Sequence, residues 1–508
     1  MAYRFYCYLF LAFTFSLCAC NTAELAHAQA ATTAKPQAKK KSKPPASESQ
    51  QKAEPTPLKL AGIFSDHMVL QRDVALPVWG TAEPGSLIAL KVGDQQVPAV
   101  ADSQGNWRAE LAPLEVARDL TLSVTAGEQS ITLTDVAVGE VWFCSGQSNM
   151  QWRLSNTDNG KEAVAAAKHA DIRLMQTPAV AVDTPQHLLD LPSWQRCTPE
   201  GAKDFSAVGY FFGRELSEKL DVPIGLINSS WGGTPMEAWT SREALASSET
   251  FRSLAQDEYF KGQPKKYRAK DKPSYLYNGK VSHIIPFAIR GVIWYQGEAN
   301  ASRAGQYREL SELMIADWRH RWGLGDFPFL FVQLAAWEPG KTWPELREAQ
   351  TETLEVHNTG MAVTTDIGNR KDIHPRNKQD VGYRLSLAAR AIAYGETIEY
   401  SGPKFRSMEI DGSKITLSFS HLGGGLKIGE LRNGEPDTSA GKLTGFEIAG
   451  VDGDFKQAEA EIVDNQVVVH SEAVQEPVAV RYNWTGFTTG NLFNEAGLPA
   501  FSFRTSQF

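Results

Sequence analysis

Short apolar runs broken by turn residues mark the two ends of the chain that are able to fold, and longer alternations of strand and helix mark its middle. From Leu60 to Val136, runs such as Leu76-Pro77-Val78-Trp79 and Thr121-Leu122-Ser123-Val124 are separated by Pro84-Gly85, Gly93-Asp94 and Gln104-Gly105-Asn106. Regular short strands with turns between them predict an all-β sandwich. From Ser407 onward the pattern returns, with Ile415-Thr416-Leu417-Ser418-Phe419 and Val467-Val468-Val469 bounded by Asp411-Gly412 and Asp452-Gly453. In between, apolar strands lead into helix-length amphipathic segments, the pattern of a parallel sheet covered on both faces. The expectation is an α/β fold: a three-layer parallel sheet over residues 137–405, with β-sandwich-like domains at 58–136 and 406–508. A length of 508 residues agrees with several cores, since single cores rarely grow past roughly 250–300 residues.

Polar residues gather where the middle strands end. Glu140-Val141-Trp142-Phe143-Cys144 runs into Ser145-Gly146-Gln147-Ser148, and Ile224-Gly225-Leu226-Ile227 runs into Asn228-Ser229-Ser230-Trp231-Gly232-Gly233-Thr234. Gly291-Val292-Ile293-Trp294-Tyr295 runs into Gln296-Gly297-Glu298-Ala299-Asn300, and Met361-Ala362-Val363-Thr364 leads past Asp366 to His374. In open α/β sheets ligands bind beyond the carboxyl ends of the strands, so these four junctions are expected to converge on one crevice.

Within them, Ser148 follows a strand across one glycine-containing turn, which exposes its hydroxyl at the crevice mouth. An exposed serine after a turn is more often a helix cap, so a base has to be found. His374 supplies one: Pro375 restricts it to extended backbone, and Asp372, or Asp366 in its place, can orient the imidazole. Gly232 and Gly233 can offer backbone N–H groups, and Gln296 a side-chain amide, to the oxyanion of a tetrahedral intermediate. Nucleophile, base and oxyanion donors together describe acyl transfer.

The same blocks carry a resemblance. Gly146-Gln147-Ser148-Asn149-Met150, Trp231-Gly232-Gly233-Thr234, Trp294-Tyr295-Gln296-Gly297-Glu298-Ala299-Asn300 and Asp372-Ile373-His374-Pro375 resemble the sialate O-acetylesterase family of the SGNH hydrolase superfamily. The likeness extends from Ser65-Asp66-His67-Met68 to Gly497-Leu498-Pro499. It implies an SGNH-like sheet, Ser148 as nucleophile, His374 as base, Gly232 or Gly233 in the oxyanion hole, and Gln296 in place of the asparagine that names the superfamily. The acid of that superfamily stands three residues before the histidine, where this chain has Lys371, so Asp372, Asp366 or no acid at all completes the set. Gln296 and Asn300 share one block, and either amide can face the oxyanion. The substrate implied is an acetylated glycan, either a sialic acid or a xylan-type polysaccharide.

Composition narrows the surroundings. A formal net charge of -8 with no basic domain argues against a nucleic-acid partner. The first twenty residues, MAYRFYCYLFLAFTFSLCAC, read as a signal peptide, with either a lipobox that lipidates Cys20 or an Ala28-Gln29-Ala30 cleavage site. Residues 21–57 are rich in Ala, Lys, Pro, Ser and Gln and read as a disordered tether reaching roughly 30 Å. The protein is therefore expected to be exported, either secreted, periplasmic or anchored at the cell surface, meeting the membrane only through a lipid on Cys20. Cys144 and Cys197 either pair or stay free, and no His, Cys or Glu grouping has metal-ligand spacing, so neither metal nor cofactor is expected.

Two other functions fit parts of the sequence. A glycoside hydrolase would use Glu298 or Glu237 in a carboxylate pair. A glycan-binding protein would use Trp231, Trp239, Trp294, Trp337 and Trp343 as an aromatic platform. Arg153, Arg303 and Arg370 lie near the junction loops as candidate partners for a sugar carboxylate.

Overall fold

A computed structural model describes residues 56–506, except 262–267 and 437. The expected export signal, with Cys20, and nearly all of the expected tether lie outside the described residues. Residues from Pro55 onward form one compact unit.

Its spine is a sheet whose strands run in the order Gln195–Cys197, His169–Gln176, Ile224–Ser230, Gln129–Gly146, Gly291–Tyr295, Phe329–Val332 and Thr359–Ala362. Apart from the first, which pairs antiparallel, neighbours are parallel. All four junctions singled out from the sequence therefore follow parallel strands of one sheet.

Alternation along the strands builds the layers, because successive side chains point to opposite faces. Val141 and Phe143 join Val292, Trp294, Phe329 and Phe331 in one core with the helices Tyr307–Trp322 and Trp343–Glu352. Trp142 and Cys144 join Ile293, Tyr295, Leu330 and Ala362 in the other, with Ala207–Leu220 and Lys378–Ile392. Both faces are buried, which is why these strands read as continuous apolar runs. Rings of Trp239, Trp294 and Trp318 meet edge to face at 5.8 Å, at 86° and 89°. Each such pair contributes about 0.5–1.5 kcal/mol beyond the area it buries.

The strand Gln129–Gly146 crosses residue 136 without a break. Its first half pairs antiparallel with Ala117–Ala126, and its second half lies between two parallel strands of the central sheet. Buried Glu140, where the pairing changes, is held by Arg72 and by Arg290 at 2.6 Å, so its charge is compensated.

Upstream, Leu76–Thr81 pairs with Lys59–Leu60 and Asn106–Leu111, while Leu87–Val92 pairs with Gln95–Val100 and Ala117–Ala126. Downstream, Ile415 and Leu417 of one antiparallel sheet share a core with Ile448, Val480 and Phe503 of another. Cys144 and Cys197 are buried free thiols. Among the described residues, no helix is long and apolar enough to cross a membrane.

Candidate active site

Ser148 sits where the strand Gln129–Gly146 turns into the short helix Ser148–Gln151. The turn is bolted to both neighbouring strands: Trp231 N–H donates to Gly146 O at 3.0 Å, and Gln147 N–H donates to Tyr295 O at 2.9 Å. Gly146 has φ of +133°, and a Cβ there would lie 2.2 Å from Tyr295 O, so only glycine allows this approach. Ser148 itself is partly exposed, while Gln147 and Asn149 on either side are buried.

The loop after Thr359–Ala362 brings His374 to the same place. Its Nε2 lies 2.9 Å from Ser148 Oγ across 226 positions of sequence. Trp152, four residues beyond the serine, stacks on the imidazole with centroids 5.0 Å apart and 20° between planes. Burial, and next the positive charge of Lys378, hold the imidazole below its ordinary pKa against the upward pull of Asp372. That favours the neutral ring, the state in which it accepts a proton.

Asp372 is close but loosely engaged. Its Oδ1 accepts the His374 backbone N–H at 2.9 Å and lies 3.5 Å from Nδ1, beyond a normal hydrogen bond. Arg376 takes Oδ2 at 3.3 Å. Partial burial pushes this carboxyl up, but the His374 N–H, Arg376 and the imidazole outweigh it and hold it below the usual carboxylate value. Asp366 is committed elsewhere: buried, it takes Arg384 through both oxygens at 2.7 and 2.6 Å. Between the two acids weighed from sequence, Asp372 is the one beside the ring.

The glycines also converge. A Cβ on Gly232 would lie 3.1 Å from Ser148 Cβ, so the loop after Ile224–Ser230 packs directly against the serine. Gly232 N–H donates to Gln151 Oε1 at 2.8 Å, while the Gly233 N–H finds no acceptor among the described residues. Lys270 donates to Gly232 O and lies 5.9 Å from the centre of the Trp231 ring.

Gln296 is engaged within the protein. It is buried, and its amide donates to Thr234 O at 3.2 Å and to Asn300 Oδ1 at 2.7 Å. Asn300 in turn donates to Glu237 Oε2 at 2.9 Å and accepts Met236 N–H at 2.9 Å. Both amides brace the glycine loop from beneath, and Gln296 has no hydrogen left for an oxyanion. The spacing of a motif cannot reveal that its amide is already satisfied.

The residues of the other two functions are placed differently. Glu237 is bonded to Asn300 and Arg303, and Glu298, buried, is bonded to Asn149. Trp239, Trp294 and Trp343 belong to the core, and Trp231 and Trp337 are partly buried against it. Arg153, Arg303 and Arg370 each pair with an acid, namely Asp204, Glu237 and Glu338. Beyond Gly233 opens a cleft of about 500 Å³ lined by Glu237, Arg268, Asp271, Ala299 and Arg303 among others. Among the described residues, no group of three or more His, Cys, Asp or Glu is arranged to hold a metal ion. Asn149, Trp152 and Lys378 went unassigned from sequence, although Asn149 lies inside a motif block and Lys378 stands four residues after His374.

Comparison with known proteins shows which family the chain belongs to. Residues 138–392 match the family described as carbohydrate esterase, sialic acid-specific acetylesterase. Human sialate O-acetylesterase is 32% identical over 409 residues, covering 72% of this chain and 76% of the human one. The mouse enzyme is 31% identical over 430 residues, covering 72% and 79%. A crystal structure of a carbohydrate acetylesterase from Xanthomonas citri superposes with a TM-score of 0.81 at 39% identity, covering 90% of this chain and all of the other. The chain belongs to the sialic acid-specific acetylesterase family of carbohydrate esterases, and it is a carbohydrate O-acetylesterase.

Proposed function

We propose that the chain hydrolyses O-acetyl esters on sugars through an acetyl-enzyme, with Ser148 as nucleophile, His374 as base and Asp372 as the acid that steadies the imidazole. The observation that carries this reading is the 2.9 Å contact between Ser148 Oγ and His374 Nε2 at the carboxyl edge of the sheet. Ser148 Oγ attacks the acetyl carbonyl carbon as Nε2 takes its proton. The ester C–O bond then breaks, and the sugar oxygen leaves with that proton. Water, deprotonated by His374, attacks the acetyl group, acetate departs and Ser148 regains its hydrogen. Atoms balance without metal or cofactor.

Charge on the carbonyl oxygen needs donors already in place. Ser148 N–H stands at the first position of its helix, where no intrahelical acceptor exists, and Gly233 N–H has no acceptor among the described residues. Gly232 N–H joins them once it exchanges Gln151 for the substrate. Gln296 contributes by holding the loop rather than by donating.

The sugar occupies the cleft beyond Gly233. Its cations and acids are balanced and interspersed with Thr250, Ser253 and Gln306, which suits a hydroxyl-rich ligand. Acetylated sialic acids and xylan-type glycans are the two substrate classes. The apolar amino terminus supports export to where such glycans lie, with Cys20 as a lipid anchor. In this organisation the parallel strands and the helices on them form the catalytic region, joined without a break to the β strands before residue 136 through the strand Gln129–Gly146, and residues 406–508 add further β structure.

A fluorophosphonate probe and an acetate-release panel over both substrate classes test the proposal. The probe is expected to attach to Ser148 and to abolish release. Acetate release from protein fully labelled at Ser148 would sink it.

A further inference from the structure

Beneath the Ser148–His374 pair lies a buried polar chain that the mechanism above does not use. Asn149, 1% exposed, donates through Nδ2 to Glu298 Oε1 at 2.5 Å and to Ile373 O at 3.1 Å. Its Oδ1 accepts Lys378 Nζ at 2.5 Å. One amide thus joins the residue after the nucleophile to the carbonyl of the residue before the base. The two oppositely charged groups at its ends fix which way it points, because a flipped amide would aim its hydrogens at an ammonium and its oxygen at a carboxylate.

Such an arrangement is costly to build. Lys378 is buried with no carboxylate within ion-pair distance among the described residues, and Glu298 Oε2 is buried without a partner. Isolated buried charges are unfavourable unless hydrogen bonds compensate them, and an apolar substitute is often more stable. Burial lowers the Lys378 ammonium to about 7 against the upward pull of Glu298 and Asp372, and burial raises the Glu298 carboxyl. A polar chain that stability alone disfavours, placed across the two reacting side chains, points to a role in the reaction.

We propose that Asn149, clamped between Lys378 and Glu298, is a positioning residue that holds His374 at hydrogen-bonding distance from Ser148. This rests on the assignment of those two residues as base and nucleophile. Lys378 also acts on the imidazole as a nearby positive charge. The other groups facing that ring are Asp372 and Arg376 from its own segment, Ser148 from the helix Ser148–Gln151 and Trp152 just after it, with Glu298 behind Asn149. Lys378 itself is faced by Glu298, Asp372, Arg376 and Asp158, and its ammonium lies 5.3 Å from the centre of the Tyr295 ring.

The test measures turnover of a small acetyl ester, its pH profile and melting temperature for Asn149→Ala, Lys378→Met and Ser148→Ala. Misplacing a reacting group by about 1 Å costs about 100-fold, so Asn149→Ala is expected to lose about that factor in kcat with KM changed less than about threefold. Lys378→Met removes the positive charge that disfavours imidazolium, so the acid limb of kcat/KM moves to higher pH. This second variant replaces a buried amine with an apolar chain of similar length and reports on the proposal even if Asn149→Ala does not fold. A kcat for Asn149→Ala within about threefold of the parent, or an unmoved acid limb for Lys378→Met, overturns the inference. If Ser148→Ala turned over like the parent, the assignment beneath it would fall instead.

Discussion

His374 is governed by a balance that pH can expose. Burial and Lys378 push its pKa down, Asp372 pulls it up, and the net shift is downward. Because the neutral ring is the base, a lowered pKa preserves the active form into more acidic solution. The acid limb of kcat/KM is therefore expected to have its midpoint below the ordinary histidine value of about 6.5. A midpoint above 7 would contradict that balance. Asp372, with its carboxylate 3.5 Å from Nδ1, restrains the ring less than a hydrogen-bonded acid would. Asp372→Asn is accordingly expected to retain at least about tenfold more kcat than Ser148→Ala, and equal losses would assign it a full share of the chemistry. Ser148 could be placed from the sequence because it stands two residues after a strand, where backbone direction fixes placement, whereas His374 lies far along the loop after Ala362 and was marked only by Asp372 and Pro375 beside it. Gln296 was legible as a site residue but not in its role, since whether an amide is free depends on Thr234 and Asn300, brought together only by folding.

At the level of strands and helices, the sequence pattern and the structure diverge in one instructive place. A boundary at residue 136 was read from the change between turn-rich and apolar sequence, and the change is real: Gln129–Val138 is antiparallel and half exposed, while Glu140–Gly146 is parallel and buried. Hydrophobic pattern reports the environment of a strand and not its ends, so one strand serving two sheets reads as two. Helix packing was less legible still. Gly382 of the helix Lys378–Ile392 meets Ala207–Leu220 so closely that a Cβ would lie 2.6 Å from Phe211 Cβ and 2.7 Å from Phe212 N. Backbone cannot yield as a flexible side chain does. Gly382→Ala is expected to destabilise the fold by about 1–3 kcal/mol, read as a lowered denaturation midpoint, and because this helix begins at Lys378 it is expected to lower turnover as well. An unchanged midpoint would show that the two helices separate freely.

Over the whole molecule, the carboxyl-terminal strands are tied to the catalytic sheet by buried polar contacts. Arg347, 0% exposed, donates to Leu334 O and Ala335 O near the sheet and to Thr485 O and Gly486 O from the later region. Arg347→Met removes a donor from four carbonyls, of which Ala335 O keeps the Trp343 indole N–H and Gly486 O keeps the Trp337 N–H, and is expected to cost about 3 kcal/mol; a melting temperature equal to the parent's would show that Arg347 does not couple the two regions. None of this was visible in composition, because an arginine in an amphipathic helix reads as a solvated face. The proposed reaction rests on two side chains from distant segments acting as one unit. The direct measurement is kcat on a small acetyl ester for Ser148→Ala, His374→Ala and the double variant. Each single change is expected to cost several orders of magnitude, about 10⁴-fold or more, and the double change little beyond either. Near-parental turnover by His374→Ala, with Ser148→Ala inactive, would place the base elsewhere and contradict the account.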